Sequence, residues 1–271
     1  METVERHPVI AYVVLAFVLT WWMYPLLQIS PLLGILGLFG PALAAIIMAA
    51  ILTGRSGVKD LLKRVVRWRV RVRWYVVALG LPAVLALAAA GLAVVLGASS
   101  SVQVGTLSIF DFVIFVVVVG EELGWRGFAL PNLLQQHSAL PASLILGVLW
   151  SIWHLPTFLV PGTPQYGKSI IAFVFMTTVY SVLLCWIFVH TAGSVLIATL
   201  AHGAMNLFQG IFLGGVDPGR HYWLLAGVYG VTALVIVIVF GPSLSRRPSL
   251  PARCRSSTER EVSEAIEGPR G

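Results

Sequence analysis

Charge is scarce in this chain. Only 11% of its 271 residues are charged, against about 25% in an ordinary soluble domain. Cysteine is scarcer still. Cys185 sits inside an apolar run and Cys254 near the C-terminal end, with no partner at disulfide or metal-type spacing, so no disulfide framework is indicated. No segment reads as a cleavable leader: Val9 to Ile29 is too long an apolar run and lacks a small-residue cleavage site. No internal repeat is visible. Two intramembrane protease signatures are missing as well, His-Glu-x-x-His and Gly-x-Gly-Asp. Gly97-Ala98-Ser99-Ser100 could pass for a serine loop, but no Gly-x-x-x-His element stands suitably downstream. What remains is apolar: 58% of the residues are hydrophobic, in runs of about 18 or more, the length that spans a bilayer. The sequence therefore predicts an all-α polytopic membrane protein, about eight transmembrane helices in one bundle. Residues 1–240 form the membrane domain, and 241–271 a polar, disordered cytoplasmic tail.

The eight spans fall at Val9–Ile29, Leu32–Leu52, Trp74–Gly97, Ile109–Gln136, Ala142–Leu159, Ser169–Val189, Ser194–Leu213 and Tyr222–Phe240. Trp21-Trp22 reads as an interfacial pair, Ser30-Pro31 as a turn, and Gly34, Gly37, Gly40 and Pro41 as a close approach or kink in span two. Gly54–Arg73 reads as a basic loop, eight Lys or Arg against Asp60 alone. Such a loop marks the cytoplasmic side, and binding to anionic lipid is its functional alternative. Arg246, Arg247, Arg253 and Arg255 follow the last span, whereas the loops 98–108, 160–167 and 214–221 carry almost no Lys or Arg. The pattern expects both termini in the cytoplasm of a plasma-membrane protein. The net charge of +7 is thus accounted for by topology, with no nucleic acid partner.

Against this background the polar intrusions stand out. Val119-Gly120-Glu121-Glu122-Leu123-Gly124-Trp125-Arg126 ends a long apolar run, and insertion scales put an acid at a helix centre near 3 kcal/mol. Trp150-Ser151-Ile152-Trp153-His154 lies in span five and His202-Gly203-Ala204-Met205-Asn206 in span seven. At about 1.5 Å of rise per residue, His154 and Asn206 lie about 18 Å, His202 about 12 Å and Glu121 about 22 Å from the inner face. The spacing expects them to converge in one cavity in the membrane core. Glu122 and Arg126 are i,i+4 and should pair, while Glu121 points about 100° away with no cation beside it. Trp150 and His154, like His202 and Asn206, share a helix face. A carboxylate in a water-poor cavity can serve as general base for a water molecule. Imidazoles and an amide can hold a metal or donate to an oxyanion. Any Zn²⁺ would be held by His154, His202 and Glu121. His190 reads as interfacial, Asp111 and Asp217 likewise, and His7, His137 and His221 as solvated loop residues.

In order and spacing, Glu121-Glu122-x-x-x-Arg126, Trp150-x-x-x-His154 and His202-x-x-x-Asn206 resemble the three motifs of the CPBP family. That family holds the CAAX proteases and bacteriocin-processing (Abi) membrane enzymes, among them the eukaryotic prenyl-protein endopeptidase. Trp150 stands where the family usually has Phe. The resemblance covers roughly Gly120–Asn206, within a motif core at 109–213. It implies an intramembrane endopeptidase acting on a membrane-associated peptide. Glu121 would activate water, His154 would assist, His202 and Asn206 would polarise the scissile carbonyl, and Glu122 and Arg126 would give structural support. The family pattern fits either a metalloprotease or a metal-free glutamate protease.

Two other classes compete. A proton-coupled transporter could use Glu121, His154 and His202 as a relay, but it would carry related motifs in two halves, and none are found. A catalytically silent immunity or regulatory protein could keep the whole constellation, and loss of activity on changing Glu121 alone separates it from a peptidase.

Overall fold

The computed structural model describes residues 2–24, 26 and 36–245. Ser30-Pro31, Gly34 and the tail from Arg246 lie outside the described residues. The described residues form helices and no strand. In chain order these are α1 (Glu2–Arg6), α2 (Pro8–Trp21), α3 (Gly40–Val65), α4 (Arg73–Val95), α5 (Ile109–Val117), α6 (Val119–Gly124), a π-helical turn (Trp125–Ala129), α7 (Leu130–Leu133), α8 (Ala139–Trp153), a 3-10 turn (Leu155–Phe158), α9 (Ile170–His190), α10 (Val195–Leu213) and α11 (Pro218–Phe240). Helices α3, α4, α9, α10 and α11 are long and apolar enough to cross a membrane, and α2 and α8 are shorter apolar helices. Between α4 and α8 the stretch 109–133 is a run of short helical pieces, α5, α6, the π-helical turn and α7. The chain is an all-α membrane bundle.

The helices close a ring of contacts. α2 packs on α3, α3 on α6, α6 on α10, α10 on α5 and α4, α4 on α11, α11 on α9, α9 on α8, α8 on α7 and α7 on α2. Small residues permit the closest of these approaches. A Cβ at Gly120 would stand 2.8 Å from Leu38 O, and one at Gly124 would stand 2.6 Å from Pro41 O and 2.3 Å from the Tyr12 hydroxyl. The Gly120-x-x-x-Gly124 face thus seats the Glu-Glu segment directly against the start of α3.

Three expectations about the elements are corrected. The basic segment is mostly helix: α3 continues to Val65, and only residues 66–72 lack helical structure. Its change of direction comes at Gly54, whose φ of 65° is open to glycine, while Gly40 and Pro41 start the helix at a close approach to α2, where a Cβ at Gly40 would stand 3.2 Å from Thr20 N. Span five ends at Trp153, and the Leu155–Phe158 turn replaces its last residues because Pro156 has no N–H to continue the helical ladder. His221 is buried inside α11 rather than solvated, since that helix already begins at Pro218, capped by the Asp217 side chain.

Contacts between connections sort the ends of the helices into two faces. Arg67 donates to Ala192 O and Ser194 Oγ to Arg67 O, which ties 66–72 to the α9–α10 turn. Arg220 Nη1 donates to Leu96 O, and Gly105 N to Ile211 O, which gathers the α4–α5 and α10–α11 connections at the other face.

Candidate active site

Asp111 and Ser108 form a reciprocal cap at the start of α5, and the apolar α5 leads into α6. There Glu121 and Glu122 are both buried. They point to different neighbours, as their one-residue offset requires. Glu122 Oε1 accepts from Arg126 Nη1 at 2.9 Å and from His202 Nδ1 at 2.9 Å. Glu122 and Arg126 are both 0% exposed, so each charge depends on the other for compensation. Arg126 lies in the π-helical turn, and its guanidinium carbon stands 4.3 Å from the centroid of the Trp150 ring. That cation–π contact serves the guanidinium face, while Nε and Nη2 have no hydrogen-bond partner among the described residues.

Glu121 does have a partner, contrary to the expectation from its own helix. Trp150 Nε1 donates to Glu121 Oε2 at 2.9 Å from across the bundle. The other oxygen, Oε1, makes no hydrogen bond with a described residue and belongs to a side chain that lines the central cavity. Trp150 is therefore more than a packing residue. One ring holds Glu121 at its edge and Arg126 on its face, and it stands 5.0 Å from the His202 ring.

His154 closes α8 as its C-terminal cap. Its Nδ1 lies 2.9 Å from Trp150 O. A carbonyl only accepts, so Nδ1 carries the proton and the neutral ring presents Nε2 as a lone pair. Trp153 and Phe173 pack edge-on against the imidazole at 4.7 and 5.1 Å. Trp21 donates through Nε1 to Trp153 O at 3.0 Å and so anchors the end of α8. His202 follows the same logic: its Nδ1 proton goes to the Glu122 carboxylate, and Nε2 is the acceptor when the ring is neutral. Asn206, one turn on, accepts at Oδ1 from Gln209 Nε2 at 3.2 Å. This leaves its amide N–H groups as donors.

Glu121, His154, His202 and Asn206 all line one cavity of about 420 Å³. Gln209, whose Oε1 lies 3.5 Å from His221 Nε2, and Lys168 line it too. Burial pushes the Lys168 ammonium down to about 8. Neither Gln209 nor Lys168 is singled out by the sequence, which reads His221 as a solvated loop residue. Gln209 alone carried a signal, three residues beyond Asn206 on the same helix. Asp111 also reaches the cavity from the start of α5. His190, half-buried at the C-terminal end of α9, packs against the Trp74, Trp186 and Phe240 rings.

The donor set can be tested against zinc. No group of three His, Cys, Asp or Glu stands at metal-binding spacing among the described residues. The carboxylate nearest His202 is Glu122, already bonded to Arg126, and Glu121 is turned to Trp150. His154, His202 and Glu121 therefore do not form a three-ligand cluster in this arrangement.

Residues 103–208 match the family described as Rce1-like, Type II CAAX prenyl endopeptidase. A protein of Methanococcus maripaludis named CAAX prenyl protease 2 is 31% identical over 104 residues. That alignment spans 36% of this chain and 38% of the relative. The matched segment contains all three motifs, from Glu121 to Asn206. Residues 103–208, and with them the three motifs, are what this chain shares with CAAX-type membrane proteases.

Proposed function

We propose that the chain is an intramembrane endopeptidase that hydrolyses a peptide bond of a membrane-associated peptide with water activated by Glu121. One observation carries this reading. Glu121 is held through Oε2 by Trp150, and it shares its cavity with a histidine lone pair and a free amide donor. A general base must reach its water and the acyl carbon from a fixed geometry, and the Trp150 bond supplies that fixation.

The steps follow from the hydrogen-bond roles. Glu121 Oε1 takes a proton from water as the oxygen attacks the scissile carbonyl. His154 Nε2, a lone pair in the neutral ring, is a second acceptor for that proton and can pass it to the leaving nitrogen. The oxyanion needs donors. Asn206 supplies an amide N–H. His202 can add one only as the imidazolium, because its Nδ1 proton is already committed to Glu122; in that form its charge sits against the Glu122 carboxylate. Glu122 and Arg126 remain supporting residues, each neutralising the other.

No step here runs through a metal, since the donors do not gather around one. Activity is accordingly expected to survive stringent chelation, with metal analysis of the active protein as the check. Activity lost on chelation and restored by Zn²⁺ would overturn the metal-independent form of the proposal. The relative's name makes CAAX-like C-terminal peptides the first substrates to try. Cleavage of a membrane-peptide panel by the wild type, set against Glu121→Gln, tests the reading as a whole. A variant that still cleaves would contradict it.

A further inference from the structure

Lys168 is the only Lys or Arg among the described residues that line the cavity. It closes the loop before α9, whose cap is the next residue, Ser169. Its Nζ stands 5.0 Å from the centroid of the Tyr222 ring, and no described carboxylate lies at ion-pair distance. The two acids that share the cavity are engaged elsewhere, Glu121 with Trp150 and Asp111 with Ser108. Although burial lowers its pKa to about 8, the ammonium keeps most of its proton at neutral pH. A cation in a largely apolar cavity is a costly group unless an anion accompanies it.

Its position relative to the reacting groups is marked by a ladder of rings. His154 meets Phe173 at 5.1 Å, Phe173 meets Tyr222 at 5.0 Å, and Lys168 Nζ stands 5.0 Å from Tyr222. Lys168 Nζ is thus no further than about 15 Å from the His154 ring, a distance that about four residues of extended chain can bridge. We propose that Lys168 binds a carboxylate on the peptide within about four residues of the scissile bond, and so selects substrates that carry an acidic group on one side of it. This rests on the peptidase reading above. The group is either a free C-terminal carboxylate or an acidic side chain. A peptide lacking it leaves the half-buried ammonium without an anion, which is what makes such a site discriminate.

Binding tests the site separately from hydrolysis. The full-length Glu121→Gln protein in detergent is titrated with three fluorescent peptides of one sequence: the free acid, its C-terminal amide, and the amide with one Asp among the last four residues. The acid is expected to bind about tenfold tighter than the amide. The preference should vanish on adding Lys168→Met and persist with Lys168→Arg. If the Asp-bearing amide matches the acid, a side chain suffices; if it matches the plain amide, the site reads the chain terminus. Equal affinity for all three peptides, including no binding at all, or a preference that survives Lys168→Met, overturns the proposal. Failure of the wild type to cleave any of the peptides would count against the peptidase reading, while the binding comparison still decides the carboxylate site.

Discussion

Replacing Trp150 by Phe would remove a single donor and leave an aromatic ring over Arg126. The donor bonds a buried carboxylate, and a hydrogen bond to a charged group contributes about 1.5–3 kcal/mol. If that bond orients Glu121 for catalysis, its loss should slow cleavage roughly ten- to hundredfold with a smaller change in melting temperature. Unchanged cleavage would show that the indole N–H does not orient the base. Arg126→Ala should act differently. It strands Glu122 in a fully buried position, a cost of about 3–5 kcal/mol, so yield and melting temperature should fall with activity following. The Glu122–Arg126 bond was legible in the sequence because i,i+4 spacing on one helix needs no knowledge of the neighbours. The bonds from Trp150 to Glu121 and from His202 to Glu122 cross between helices. They depend on how the helices are rotated against one another, and apolar periodicity in a membrane span says little about that, because lipid and core are both apolar.

Helices were easiest to place where composition changes sharply. Apart from the C-terminal end of α8 and the breaks within 109–133, apolar runs located the helices from α4 to α11 to within about four residues. The continuation of α3 to Val65 was missed because Lys and Arg favour helix as readily as loop, so their charge marked the membrane boundary without marking the helix end. The π-helical turn at Trp125–Ala129 left no trace in residue pattern either. Close packing is the element-scale feature open to test. Gly124→Ala places a methyl against Pro41 and the Tyr12 hydroxyl and should destabilise the bundle by about 1–3 kcal/mol. Gly80→Ala, in α4 with nothing within 4 Å, should not. Thermal unfolding of the two variants in one detergent makes the comparison. Equal melting temperatures would mean that α6 and α3 are less tightly apposed than the structure shows.

The molecule as a whole is a membrane bundle with two distinct faces and, between them, a largely apolar cavity that holds a few polar groups. We expect the face bearing the 66–72 connection to be cytoplasmic, since the exposed Arg67, Arg69, Arg71 and Arg73 gather there. Reporter fusions at Gly162 and Gly215 should then read external, and a cytoplasmic reading at Gly215 would contradict this orientation. The central claim is about the cavity, and it turns on which of two adjacent glutamates does chemistry. Glu121 has one oxygen tied to Trp150, whereas Glu122 is committed to Arg126 and His202. The most direct measurement is peptide cleavage together with melting temperature for Glu121→Gln and Glu122→Gln in the full-length protein. Glu121→Gln should abolish cleavage with the melting temperature nearly unchanged, and Glu122→Gln should lower the melting temperature. Cleavage retained by Glu121→Gln but lost without unfolding in Glu122→Gln would contradict the account and exchange the two roles.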